Sequence, residues 1–494
     1  MRPAALSLFS ALLVIPAVSA GQGRPADPTI AANAAARAVL HRALEAMGGV
    51  ARVEEMGATR RTFDFATRDR GQGARPTSPG DPGPIIETGH GEWIHDPATR
   101  RAGVEEAGTI FGGQPYVRRR WISPAGGYLA QDSTRRLDSL SSATTAAMLA
   151  SLERQLPETV LSQAWAQRHR LQLLSDAANE SRLAFATDDA RMLVLAFDRT
   201  SGLLLRQEQL QDHPALGDYA HRILYDDWRR VGEVRLPFRH LEKSVTGLRV
   251  RTMREVSVGG PSLVADREPP AGYLRAPPAA RDSVLAPGVH FLPGAYNALL
   301  VEFDDFFVAV EPAPGTRAAL RVLEKAAQLA PAKPIRFVVI THFHDDHLGG
   351  VRPFIAAGST VLTTAHGAEM VREIAAVRKG MYPDTLDARP RAPVLEPVSG
   401  RRVIEGGAQR LEILDIGRSP HAEQMLVVWL PKARVLYEAD LLDLDVPVDG
   451  VAMPGDDTRH FARWLARERL PVDTIVPTHG RIGRLGDLER AVRR

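Results

Sequence analysis

The chain has 494 residues and not one cysteine. That excludes a disulfide framework, a lipid-modified lipobox cysteine and a cysteine-rich structural zinc site. Net charge is also scarce, with 62 Lys and Arg against 59 Asp and Glu, a formal +3. So even a balance does not condense on phosphate, and nucleic acid is not an implied partner. No apolar run reaches the ~20 residues that span a bilayer. No repeat of fixed period and no G-x-S-x-G nucleophile elbow is visible. What is present is an ordinary soluble composition, 44% hydrophobic and 24% charged. At roughly 100–200 residues per domain, the length suits two or three domains.

Residues 1–20 read as a cleavable leader. Arg2 gives the positive start, Ala4 to Ile15 the apolar core, and Val18, Ser19 and Ala20 the small-residue cleavage site. A periplasmic or secreted protein is expected. Residues 24–56 carry an alanine-rich helical pattern that stops at Gly48 and Gly49, and Gly71 to Pro84 reads as a loop. From Leu183 to Val258, six short runs alternate apolar and polar residues between turn signals, as in "RMLVLAF" and "LRVRTMREVSV". They predict an antiparallel meander with one buried face. This pattern resembles the curved half-barrel of periplasmic lipoprotein-carrier proteins. His213, His221 and His240 stand singly there and read as surface or packing histidines. The Pro- and Gly-rich stretch 259–284 reads as a linker. The expected organisation is a leader (1–20), an N-terminal α+β domain with a curved antiparallel sheet (21–258), the linker, and an α/β domain (285–494).

In that last part, "NALLVEF" and "FFVAVEP" predict paired strands, Thr316 to Ala330 a helix, and "IRFVVI" a strand buried on both faces. "THFHDDHLGG" follows at once and places His342, His344, Asp346 and His347 within six residues. On an extended segment, side chains two apart point the same way, so His342 and His344 can grip one ion together. Asp346 and His347 follow where the chain bends toward a helix expected near Leu348, and can face a second ion. Imidazole and carboxylate suit zinc. A ligand set richer than one ion needs favours a two-metal catalytic site over a closed structural one.

With these residues in place, 285–494 resembles the metallo-β-lactamase fold, an αββα sandwich of metallohydrolases whose first signature is H-x-H-x-D-H. The resemblance implies His421, in "GRSPHAEQ", as third ligand of the first metal. It likewise implies Asp440 as a bridging carboxylate and His479, in "VPTHG", as third ligand of the second metal. His342, His344 and His421 would then hold one ion, Asp346, His347 and His479 the other. His290, Asp345 and His366 read as non-ligands, and Tyr382 as either a substrate contact or a packing residue.

The implied activity is that of an exported dinuclear zinc hydrolase, with iron or manganese as substitute metals. Its nucleophile would be a hydroxide between the ions, and Asp346 would orient it and accept its proton. An ester, thioester or lactone is the expected small-molecule substrate. The competing expectations are a β-lactamase, a phosphodiesterase or sulfatase, an iron-dependent oxygenase of the same fold, and a non-catalytic periplasmic carrier. Nothing in the residues specifies the oligomeric state.

Overall fold

The computed structural model describes residues 28–494 apart from 111–112, 133–134, 189, 261–266, 276–279, 443, 445–454 and 494. The expected leader lies outside the described residues. The alanine-rich segment forms the helix Pro28–Met47. It stops where expected, because Gly48 and Gly49 take φ of 135° and 108°, a backbone that side-chain-bearing residues rarely adopt.

A 14-stranded sheet follows. The alternating runs of 183–258 are strands from Glu180–Ala186 through Gly247–Gly259, joined as antiparallel neighbours. The first half of the sheet, from Ala58–Asp69 to Arg136–Leu140, was not foreseen. Its strands carry glycines at interior positions, which weaken the alternating signal. Gly89 and Gly108 face each other across two strands, and a side-chain carbon at Gly91 would meet the Phe63 ring at 2.7 Å. These glycines are packing sites, where backbone and aromatic rings take the space of side chains. The segment read as a linker is also partly structured, for Leu274–Arg275 pairs parallel with Arg136–Leu140.

Helices Pro28–Met47 and Pro157–Ala166 lie on the apolar face of this sheet. Leu40, Leu44, Val160 and Leu161 share one core with Phe63, Leu195 and Leu236. The buried Arg61 of strand Ala58–Asp69 pairs with the buried Glu158 of the second helix. The loop 70–84 leaves the end of the same strand.

From Ser283 on, the chain builds a 7-stranded and a 6-stranded sheet. Alternate residues of one strand serve two cores: Leu299 and Val301 face the core between the sheets, while Leu300 faces the outer helices. Burial on both faces explains the continuous apolar runs of the sequence. Helices Thr316–Leu329, Val351–Ala357 and Ala365–Ala376 cover the first sheet, and Asp456–Glu468 and Leu485–Val492 cover the second. The result is the αββα sandwich. Among the described residues, no helix is long and apolar enough to cross a membrane.

Candidate metal centre

The strand Ile335–Val339 ends before the histidine cluster, and the helix begins at Asp345, earlier than expected. His342 and His344 therefore sit in the loop between strand and helix, and Asp346 and His347 in the first helical turn. The two-residue alternation of a strand does not apply to His342 and His344, yet their rings still meet, with centroids 4.5 Å apart. Gly349 and Gly350 let this turn lie against the segment 311–314. A side-chain carbon at either would fall 1.8 Å from a proline carbonyl oxygen, that of Pro314 or Pro312.

That close approach seats Glu311, fully buried, beneath the cluster. It accepts from the Thr341 backbone N–H (2.9 Å) and from His347 Nδ1 (3.1 Å). Thr341 Oγ1 lies 3.0 Å from His342 Nδ1. His342 and His347 thus have Nδ1 engaged by the protein and Nε2 facing inward, as metal-ligating histidines do. Asp440 and His479 follow the ends of two parallel neighbours, Val435–Glu438 and Thr474–Pro477. His421 comes from the loop before Leu426–Leu430.

Three groups of ligand atoms converge among the described residues, each within 4.8 Å: His342, His344 and His421; His342, His347 and Asp440; Asp346, His347 and His479. All seven residues expected from the sequence are therefore brought together. Asp440 is common ground. Its Oδ2 lies 2.8 Å from His347 Nε2 and 3.4 Å from both His342 Nε2 and His421 Nε2, and its Oδ1 lies 3.1 Å from His479 Nε2. Oδ2 is nevertheless buried without a well-formed hydrogen bond. Several imidazole nitrogens and an unsatisfied carboxylate oxygen directed at one region fit a divalent cation as common partner.

The electrostatics agree with that fit. Burial, and then the neighbouring imidazoles, hold His342 well below its ordinary value; burial and His421 bring His344 down to about 4. Burial opposes charge on His347 as well, but Asp440, Asp346 and Glu311 overcome it and raise this histidine well above the usual range. Asp440 and Asp346 are lowered in spite of burial, chiefly by His347. The carboxylates of Asp346 and Asp440 thus draw positive charge to the point where the imidazoles meet.

Several contributors were not foreseen. Tyr296 donates to Asp346 Oδ2 at 2.7 Å and packs edge-on against the His479 ring. Burial, then Asp346, push its phenol up, so it remains a donor. Gln72, Gly73 and His213 reach the site from the N-terminal sheet. His213, expected at the surface or in packing, accepts the Ala215 and Leu216 N–H groups on Nδ1, which leaves Nε2 to donate to Asp345 at 3.1 Å. Asp345, read as a non-ligand, is held by His213 and Gln72. One sequence signal was available for Glu311: a lone acid closing the apolar run "FFVAV". His290, His366 and Tyr382 belong to none of the three groups. Tyr382 is 66% exposed, which removes the packing role.

Compared with known proteins, residues 292–479 match the sequence model of the metallo-beta-lactamase superfamily. This stretch is a metallo-beta-lactamase superfamily domain. All seven converging residues lie inside it. A metallo-beta-lactamase type 2 from Bacillus sp. (strain 170) is 27% identical over 177 residues, 35% of this chain. The chain spans 60% of the length of that relative. Among solved structures, a metallo-beta-lactamase from Pontibacter korlensis is 23% identical, covering 42% of this chain and 92% of its own at a TM-score of 0.32. The FIM-1 metallo-beta-lactamase from Pseudomonas aeruginosa, in its mono-zinc form, is 20% identical, covering 44% and 94% at a TM-score of 0.33. The superfamily domain is thus joined here to an N-terminal sheet that the family match does not cover.

Proposed function

We propose that the chain is an exported, metal-dependent hydrolase with a dinuclear centre. His342, His344 and His421 hold one ion, Asp346, His347 and His479 the other, and Asp440 is shared. The observation that carries this reading is that the Asp440 carboxylate lies within 3.4 Å of His342, His347, His421 and His479, members of all three ligand groups, while its buried Oδ2 has no well-formed hydrogen bond. Nitrogen and oxygen donors without sulfur suit zinc, and iron or manganese accept the same set. Bound there, the metal supplies Lewis acidity and makes water nucleophilic at neutral pH.

The chain's own groups do the rest. Asp346 is anchored through both oxygens, by Tyr296 on Oδ2 and Gln72 on Oδ1. So placed and ionised, it orients the attacking water and accepts its proton. Glu311 and the Gly73 carbonyl fix the ring orientations of His347 and His344. Aspartate at 440, where many β-lactamases of this fold carry a cysteine or no bridging side chain, favours an ester, thioester or lactone as substrate. The Bacillus relative's name supports a second reading, a β-lactam. The carrier reading is weaker, because the apolar face that would hold a ligand is covered by the chain's own helices.

The test is a hydrolysis screen of the zinc-loaded chain on chromogenic ester, thioester, lactone, phosphodiester and β-lactam substrates. Turnover of an ester, thioester or lactone, abolished by chelator and restored by zinc, is the expected result. Turnover of β-lactams alone would favour the second reading, and no turnover in the presence of bound metal would overturn the hydrolase.

A further inference from the structure

The sequence matched to the superfamily begins at residue 292, yet three groups of the loop 70–75 lie in the metal centre. The Gln72 side-chain amide donates to Asp345 Oδ1 and to Asp346 Oδ1, each at 2.8 Å. The Gly73 carbonyl lies 2.9 Å from His344 Nε2. Gly71 O accepts from the Asp345 N–H at 3.4 Å. We infer that this loop of the N-terminal sheet is a working part of the metal centre, with Gln72 as the positioning residue for Asp346 and the Gly73 carbonyl setting the tautomer of His344. The inference rests on the dinuclear reading above.

The chemistry of each contact fixes its direction. A carbonyl oxygen only accepts, so His344 Nε2 carries the hydrogen and its neutral ring presents the Nδ1 lone pair. A glutamine amide offers two N–H donors, and the two carboxylate oxygens it faces are acceptors. Gln72 therefore satisfies Asp345 and Asp346 together while adding no charge. A lysine or arginine at this place would bring a positive charge to compete with a bound cation.

The loop is held on both sides, which makes it a fixed wall. Arg70, buried, pairs with Glu373 at 2.7 Å, and its N–H reaches Thr246 O. Ala74 O accepts from the Glu423 N–H at 2.8 Å, and Arg75 pairs with the Glu423 carboxylate at 2.7 Å. Glu423 lies two residues from His421, so one short loop is bonded to the segments that carry five of the seven converging residues: His342, His344, Asp346, His347 and His421. Only glycine permits this approach at position 71, since a side-chain carbon there would stand 2.8 Å from the Asp345 carboxyl.

The experiment uses the full chain and two independent variants. Gln72→Met keeps length and removes the donors; Gly71→Ala pushes the loop off Asp345. Zinc affinity is read by competition with a chromogenic chelator, and site geometry by the visible spectrum of the cobalt-substituted protein. Each variant is expected to bind the weaker of its two ions about 10- to 100-fold less tightly, the range for residues that support metal ligands. The cobalt bands should shift, with the circular dichroism unchanged. If the wild-type chain binds two ions and both variants match it in affinity and cobalt spectrum, this inference alone is overturned. A wild-type chain that takes up no metal would overturn the dinuclear reading and the inference with it.

Discussion

Asp440 and Glu311 hold backbone φ of 57° and 52°, which non-glycine residues seldom adopt. Each such residue costs on the order of 1–3 kcal/mol and persists where its surroundings determine it. Glu311 is determined by its two hydrogen bonds to Thr341 and His347. Asp440 has a buried oxygen without a well-formed hydrogen bond, and the proposed shared cation would be its partner. Replacing Asp440 by Ala should leave the fold intact and lower the zinc content toward one ion per chain, read by elemental analysis; an unchanged content would remove Asp440 from its shared role. Asp69, at the root of the 70–75 loop, provides a pH test. Burial, then the nearby Asp345, raise its carboxyl to about 6. Because the folded state holds this proton more tightly than the unfolded chain, its contribution is full below about pH 4 and is lost as pH rises through about 6. Asp69→Asn should therefore stabilise the protein by up to about 3 kcal/mol at pH 7.5, with the gain shrinking toward pH 4 in urea melts at each pH. Among individual residues, the sequence was most legible where candidate ligands cluster along the chain, as His342, His344, Asp346 and His347 do. Gln72, Tyr296 and Glu311 lie too far from the cluster in sequence for spacing to join them to it.

The elements were legible in proportion to their periodicity. The six alternating runs of 183–258 are strands, and the apolar run "IRFVVI" is the strand that delivers the chain to His342. The strands between residues 58 and 140 escaped because glycines occupy interior positions where Phe63 or a facing backbone fills the space. The helix Asp345–Leu348 was misplaced by a few residues because its start is set by tertiary packing, with Gly349 and Gly350 against the Pro312 and Pro314 carbonyls. Gly349→Ala is expected to force this turn away from Glu311, destabilising the protein by roughly 1–3 kcal/mol and weakening zinc binding. Thermal melts with and without zinc would check it: a smaller zinc-induced rise in Tm than in the wild type supports the account, and an equal rise contradicts it.

On the scale of the whole molecule, the N-terminal sheet and the superfamily domain share more than a linker. Ala215 and Leu216 belong to the apolar core of the C-terminal sandwich. Lys379, buried, pairs with Asp212 at 2.8 Å, and Asp218 accepts the Gly380 and Met381 N–H groups, both at 2.8 Å. Asp212→Ala removes the partner of a buried ammonium and should cost on the order of 3 kcal/mol in urea unfolding. None of this docking was visible in the sequence, since it joins surfaces that periodicity and motif spacing treat separately. The dinuclear centre itself is tested by a crystal structure of the zinc-loaded full chain with diffraction recorded at the zinc edge. Two anomalous peaks are expected, one among His342, His344 and His421, the other among Asp346, His347 and His479, with Asp440 touching both. A single peak, or zinc bound away from these residues, would contradict the account.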